Sequence, residues 1–328
     1  MTTNYRIEIA DTREKYEGLR ALWCEVFKDE ADFIDSMYES FGADLSAGKF
    51  TSDEIAGYVV CDEEGRMLSA LTCYNFGEYE GKPVYVSYAI CTAEKARGLG
   101  YAGALVSHVR DMVVEGGGIS LISPAEDSLE DYYARFGYEP YFYAAEKTVC
   151  EEDGEYIFDE EDAEYEKANP TAEPAHIGRD EYFGWREKFL EGMPHVLPSA
   201  NAMKEIEKEA TLPDGRSGLL LIGGGDAICN TYFRSDEERS SAGEGNLKPA
   251  ILLTELIINP TLKEMSSEIE DEIALRVASY FGESEIEYRT LTSKMQDNGY
   301  CQSMVCGISD TADDNNGRPE PFFGFPFE

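Results

Sequence analysis

Basic residues are scarce in this chain. Lysine and arginine number 28 against 66 aspartates and glutamates, a formal net charge of −38 over 328 residues. A field of that sign repels the phosphate backbone that supplies most nucleic-acid affinity, so no nucleic-acid partner is expected. It suits a small cationic amine, a polyamine or a basic peptide, or it serves solubility alone. Histidine is scarcer still. His108, His176 and His195 stand far apart without metal-ligand spacing, so no metal is expected. The eight cysteines are scattered singly with no C-x-x-C pair, which argues against a disulfide framework and fits small buried side chains in a reducing compartment. No apolar run approaches the roughly 20 residues that span a bilayer, and the N-terminus lacks a leader pattern. A cytoplasmic protein with no membrane partner is the expectation; whether it is a homo-oligomer stays open.

Apolar residues are plentiful at 42%, and the length suits about two domains. From Arg13 to Phe41 apolar positions recur at three- and four-residue steps, which predicts two amphipathic helices broken near Asp29. Residues 55–62 and 66–76 read as a hairpin around Gly65, and Val84 to Thr92 as a strand. Tyr101 to Glu115 reads as a helix ended by Gly116-Gly117-Gly118, Ile119 to Ser123 as a strand, and Leu129 to Phe136 as a short helix before further extended chain. Acidic runs then mark 151–174 as a linker or edge strand between a first domain, 1–150, and a second, 175–328. The second half repeats the order. Helices at 180–190 and 200–210, a hairpin closed by Gly223-Gly224-Gly225-Asp226, a strand at 250–258, a helix at 262–281 and a strand at 286–292 suggest a duplicated α/β unit.

The informative stretch is Ile90-Cys91-Thr92-Ala93-Glu94-Lys95-Ala96-Arg97-Gly98-Leu99-Gly100-Tyr101-Ala102-Gly103. A strand runs through a glycine loop into a helix N-terminus, where unpaired N–H groups and the helix dipole converge on an anion such as a pyrophosphate. Gly98 and Gly100 allow close backbone approach, Ala102 and Gly103 keep the first turn bare, and Arg97 adds a positive charge. The spacing is neither that of a P-loop nor that of a dinucleotide fold. In the second half, Asn259-Pro260-Thr261-Leu262-Lys263 stands at the same place without a glycine.

Arg97-x-x-Gly100-x-Ala102 after a strand, followed by another strand and Tyr132-Tyr133-Ala134-Arg135-Phe136-Gly137-Tyr138, resembles the GCN5-related N-acetyltransferase (GNAT) family. The whole chain resembles its tandem-domain members of the enhanced-intracellular-survival type, without their sterol-carrier-like third domain. The resemblance implies an α/β fold of two tandem GNAT-like domains, each a mixed, mostly antiparallel sheet flanked by helices. It further implies an N-acetyltransferase that takes acetyl-CoA as co-substrate and acts on a primary amine in a ternary complex. Arg97 to Gly103 would hold the pyrophosphate, the strand edge at Ile90, Cys91 and Thr92 would pair with the pantetheine amides, and Tyr133 would protonate the leaving thiolate. A non-catalytic acyl-CoA-binding regulator is the alternative, and a transferase using charged transfer RNA is argued against by the net charge.

For the amine proton, Glu126 and Asp127 are candidates, weighed against plain loop solvation. Phe27 and Phe33, with Trp23, are candidates to line the acceptor pocket, weighed against core packing. The aromatic end, Pro319 to Glu328, is too apolar for a solvated tail and is expected to dock, with the Glu328 carboxylates as a further candidate at the acceptor. The Gly223 to Asp226 run reads as a hairpin turn, and His195 as a structural residue of an apolar loop.

Overall fold

The computed structural model describes residues 5–151, 173–210, 212, 217–240, 247–263, 269–291, 299–308, 321 and 323. The elements in chain order are β1 (Arg6–Ile9), α1 (Arg13–Phe27), α2 (Ala31–Ser40), β2 (Ile55–Cys61), β3 (Met67–Tyr79), β4 (Lys82–Thr92), α3 (Tyr101–Glu115), β5 (Ile119–Ile122), α4 (Glu130–Ala134) and β6 (Glu139–Cys150). There follow β7 (Ala175–His176), α5 (Arg179–Phe189), β8 (Leu197–Pro198), α6 (Ala200–Glu209), β9 (Leu219–Ile222), β10 (Ala227–Phe233) and α7 (Asp236–Ser240). The last are β11 (Ile251–Ile258), α8 (Pro260–Lys263), α9 (Ile269–Phe281), β12 (Glu285–Leu291) and β13 (Gly299–Cys306).

The α1–α2 pair forms where the periodicity places it. Thr12 caps α1 by accepting the N–H of Lys15, and Lys28 at φ 68 ends it in the left-handed region. The expected helix over 262–281 is observed as α8 and α9, with 264–268 outside the described residues. Strand β1 is an element the periodicity does not announce, because Arg6-Ile7-Glu8-Ile9 is only one short alternation and gains its place from pairing with β2. Among the described residues no helix is long and apolar enough to cross a membrane. All eight thiols are free. Cys73, Cys91, Cys229 and Cys301 are buried as expected, whereas Cys150 at the end of β6 is exposed.

The chain forms two compact units that are not contiguous in sequence. The first comprises Met1–Phe142, His195–Glu205 and Cys301–Pro321, and the second Tyr143–Pro194, Ile206–Tyr300 and Phe322–Glu328. In the first unit the strand order is β1-β2-β3-β4-β5-β13, then the start of β6. Its pairs are antiparallel except β4 with β5. Helices cover both faces, as strand alternation dictates. Gly57 of β2 faces α1 and α2, where a Cβ would lie 2.4 Å from Leu19 Cδ1 and 2.8 Å from the Tyr38 hydroxyl. The next residue, Tyr58, faces α3 and donates its hydroxyl to Met112 Sδ at 3.0 Å.

The second unit repeats the arrangement in the order β6-β12-β11-β10-β9-β7, using residues 144–150 of β6. Only β11 with β12 is parallel. Its core packs Ile273, Ala274 and Val277 of α9 on Leu220, Cys229 and Ile251 of the sheet. Each unit is thus a mixed, mostly antiparallel sheet flanked by helices. The expected boundary at residue 150 is the end of β6, which ladders with β12, while β13 from the far end of the chain ladders with β5. Most of the expected linker, 152–172, lies outside the described residues.

Candidate active site

The site is built from the middle of β4 onward. Tyr88 pairs with Thr72 and Cys91 with Ala70, so β4 uses three steps where β3 uses two. Ala89, at φ 49, occupies this bulge. The described ladder between β4 and β5 covers only Val84–Val86 against Ile119–Leu121. The strand edge carrying Ile90, Cys91 and Thr92 therefore continues past the pairing with β5, while its opposite edge stays laddered to β3 through Ser69 and Ala70. Cys91 itself is buried and its thiol is pushed up to about 12 by that burial, so its side chain is packing. Thr92 is fixed by a hydroxyl contact with Ser69 at 2.9 Å.

A 3-10 turn at Glu94–Ala96 then delivers the glycine loop. Gly98 lies at φ 77 and Gly100 at φ 85, the left-handed region that other side chains avoid, with open space where a Cβ would stand. Gly100 is the N-cap of α3 and offers no side chain to its first N–H groups. The N-terminus of this 15-residue helix thus has no side-chain cap, at the place where the spacing predicts an anion site. Arg97 is exposed beside it and uses Nε to hold the Thr92 carbonyl at 3.3 Å. Leu99 is 59% exposed at the loop tip, Tyr101 is buried edge-on against Tyr5, and Ala102 is half-buried.

Gly103 has a different job from that of the loop glycines. A Cβ there would lie 2.5 Å from Phe136 Cζ, so its bareness seats the ring of Phe136 on α3. The Arg110 guanidinium donates to the Phe136 carbonyl and adds a second tie. In this way the two sequence motifs, loop and tyrosine helix, are brought together. Tyr133 on α4 is 7% exposed, packed between Tyr132 at 5.3 Å and Tyr138 at 6.4 Å, and its hydroxyl has no hydrogen-bond partner among the described residues. Burial pushes its phenol up to about 12, so it carries its proton throughout the neutral range. Tyr138, by contrast, shares its hydroxyl with Ser120 of β5 at 2.7 Å.

On the other face α1 and α2 cover β4 with aromatic rings. Trp23 donates Nε1–H to Asp29 at 2.6 Å and meets Tyr88 edge-on at 5.5 Å, and Tyr74 and Phe41 extend the cluster. Trp23 is fully buried and so belongs to the core. Phe27 is 45% exposed and Phe33 half-buried, and neither makes a ring contact with that cluster. Glu126 and Asp127 are exposed just after β5, where Glu126 accepts from Ser128 and Asp127 opens a 3-10 turn. Glu328 lies outside the described residues. Within the second unit, however, Phe323 of the same tail is 2% exposed and its carbonyl accepts from the buried Arg186 at 3.2 Å.

Three neighbours of this site carry no sequence signal. The bulge at Ala89 is one, since alanine does not encode a positive φ. Glu130, one turn before Tyr133, has a carboxyl raised by burial and then by Asp127 and Asp131. Strand β13 brings Ser303 to Ser123 at 2.7 Å, and Cys301, whose thiol is pushed up to about 12 by burial and further by Glu130. The Gly223 to Asp226 run forms the β9–β10 hairpin turn, as its sequence predicts.

The fold has counterparts among solved structures. A probable N-acyltransferase of Enterococcus faecalis V583 superposes with a TM-score of 0.60 at 12% identity, covering 92% of this chain and 72% of that one. A GCN5-related N-acetyltransferase of Anabaena variabilis gives 0.60 at 13% identity over 92% and 72%. Eis1 from Mycobacterium abscessus gives 0.54 at 11% identity over 92% and 73%. A search of curated proteins found no sequence match. Residues 13–138, which hold α1 through α4 and so both motifs of the site, match the model of the acetyltransferase (GNAT) family.

Proposed function

We propose that this chain is an N-acetyltransferase that moves the acetyl group of acetyl-CoA to a primary amine by direct attack in a ternary complex. The observation that carries the reading is the N-terminus of α3 after Gly100, reached from a bulged β4 whose described ladder with β5 has ended, with the Tyr133 hydroxyl, which has no partner among the described residues, on the neighbouring helix. The N–H groups after Gly100, with Arg97, suit the pyrophosphate. The β4 edge from Ile90 to Thr92 suits the pantetheine amides.

Acetyl-CoA is a substrate here and supplies the thioester. The neutral amine attacks the carbonyl carbon, the C–S bond breaks, and Tyr133 donates its proton to the departing sulfur. A phenol that holds its proton to about pH 12 stays in the acid form for this task. The proton of the amine leaves through water toward Glu126 or Asp127. The acceptor is cationic, an aminoglycoside, polyamine or lysine-bearing peptide, because a net charge of −38 concentrates such molecules.

The test is release of free coenzyme A thiol from acetyl-CoA with a panel of aminoglycosides, polyamines, basic peptides and small amines, run beside Tyr133→Phe. Amine-dependent release that falls in the variant is expected. Coenzyme binding without release for any amine would leave a non-catalytic acyl-CoA-binding regulator as the better reading.

A further inference from the structure

The sheet of the first unit ends in β1, whose outer edge is paired by no other strand among the described residues. β1 meets β2 in a register that runs from Arg6 with Cys61 to Ile9 with Tyr58, and the N–H of Ala10 donates to the Gly57 carbonyl at 2.8 Å. Alternate residues carry the bonds of an antiparallel ladder, so Arg6 and Glu8 also bond inward to β2. The N–H and C=O groups of Ile7 and Ile9 therefore point outward, and Tyr5 is the next outward position. An edge of this kind is a template for another strand, and proteins blunt it with proline, lysine or a bulge. From Tyr5 to Ile9 this edge has no proline and no lysine, and its register with β2 runs without a shift.

The side chains of the edge divide between the two faces of the sheet. Ile9 pairs with Tyr58, which faces α3, so Tyr5, Ile7 and Ile9 share that face, where Tyr5 meets Tyr101 edge-on at 5.3 Å. Tyr5 is 42% and Ile9 44% exposed, two large apolar side chains left in water along one short edge. On the opposite face Glu8 pairs with Lys15 of α1 at 2.8 Å, whereas the guanidinium of Arg6 has no ion-pair partner among the described residues.

This edge is complementary to itself. Laid antiparallel about a two-fold axis at Ile7, two copies put Ile7 opposite the partner's Ile7, Tyr5 opposite the partner's Ile9 and Arg6 opposite the partner's Glu8. The outward backbone groups of Ile7 then bond reciprocally across the axis, as do those of Tyr5 with those of the partner's Ile9. Arg6 and the partner's Glu8 fall at the pairs whose side chains stand closest. The smallest slip that keeps outward groups opposed sets Arg6 against the partner's Arg6 in one direction and Glu8 against the partner's Glu8 in the other. Like charges directly opposite are unfavourable, so charge selects the register centred on Ile7. We infer that β1 is the interface of a symmetric dimer, in which the sheet of the first unit continues from β1 of one protomer into β1 of its partner. The inference does not rest on the proposed transferase activity, and a dimer without activity would leave it standing.

The test is sedimentation velocity of the full chain over about a hundredfold range of concentration. A monomer–dimer equilibrium is expected. Arg6→Glu sets acid against acid at both charged pairs of the interface and Glu8→Arg sets base against base, so each variant alone should dimerise about tenfold more weakly or worse. Mixed together, the two variants restore opposite charges at both pairs and should form a heterodimer. The first moves the net charge from −38 to −40 and the second from −38 to −36, so a general charge effect would push them in opposite directions. Ile7→Pro removes the N–H at the axis without taking a bond from the β1–β2 ladder; it should abolish the dimer, and it stands in if the charge variants do not fold. A wild-type chain that stays monomeric over the whole range, a dimer unchanged in any of these single variants, or a mixture of the charge variants that stays monomeric would overturn the inference.

Discussion

The two units place the same junction, parallel strand to helix, in two chemical states. In the first, β4 leads through Gly98 and Gly100 to α3, whose N-terminal N–H groups receive no side-chain cap. In the second, β11 leads through Asn259, whose Oδ1 accepts the N–H of Thr261 at 3.1 Å while its Nδ2 holds the Gly225 carbonyl at 3.1 Å. A helix end that caps itself has few donors left for a ligand, and asparagine cannot give the close approach that glycine gives. The interiors differ likewise. Where the first unit packs Trp23, Tyr88, Tyr74 and Phe41, the second buries Arg186 against Glu255 at 3.1 Å, with Tyr182 donating to the same carboxylate at 2.7 Å. One fold is thus kept with one junction open and the other closed.

The sharpest way to break this contrast is to close the open junction. Gly100→Val puts a β-branched side chain at φ 85, which only glycine adopts readily, and should abolish acetyl-CoA binding in calorimetry while the fold, read by circular dichroism, persists. Next in size is Arg186→Met in the second unit. It removes the guanidinium that faces the buried Glu255 carboxylate, and should cost about 3–5 kcal/mol in denaturant unfolding. Replacing Arg186 and Glu255 together by apolar residues should recover much of that loss, since both members of the buried pair are then removed.

Tyr133→Phe should lower turnover about 100-fold with coenzyme affinity unchanged, the ordinary effect of losing a general acid. The same residue gives an alkaline signature. Its phenol is raised from about 10 in the unfolded chain to about 12 when folded. The stabilisation is present in full below pH about 10 and is lost as pH rises through about 12. Stability measured between these values should therefore fall less steeply in the phenylalanine variant. The smallest effect belongs to Asn259→Ala, which removes the cap in the second unit. About 1 kcal/mol of stability should be lost there, and acetyl-CoA affinity should not change.

What was legible in the sequence was local in origin. Gly98 and Gly100 announce their loop because a positive φ selects glycine, and the apolar rhythm from Tyr101 to Glu115 marks α3 at the ends observed. Tyr133 and Phe136 are found through their motif, although the reason for Gly103, a seat for the Phe136 ring, emerges only from packing. Phe27 and Phe33 show the limit of such reading. Helical spacing puts an aromatic on a face, but whether that face meets the site depends on how α1 and α2 lie on the sheet.

By itself, then, the sequence determined the helices, the hairpins, the glycine junction and its capped counterpart, because each depends on φ preferences and on periodicity within a few residues. Tertiary structure alone decided that β13 ladders with β5, Met304 facing Ile122, and that residues 144–150 ladder with β12. It also decided the bulge at Ala89, the burial that sets the Tyr133 phenol, and the place of β1 at the edge of its sheet. Strand register, desolvation and strand order depend on surfaces supplied by distant parts of the chain, and no local pattern records which surface will arrive.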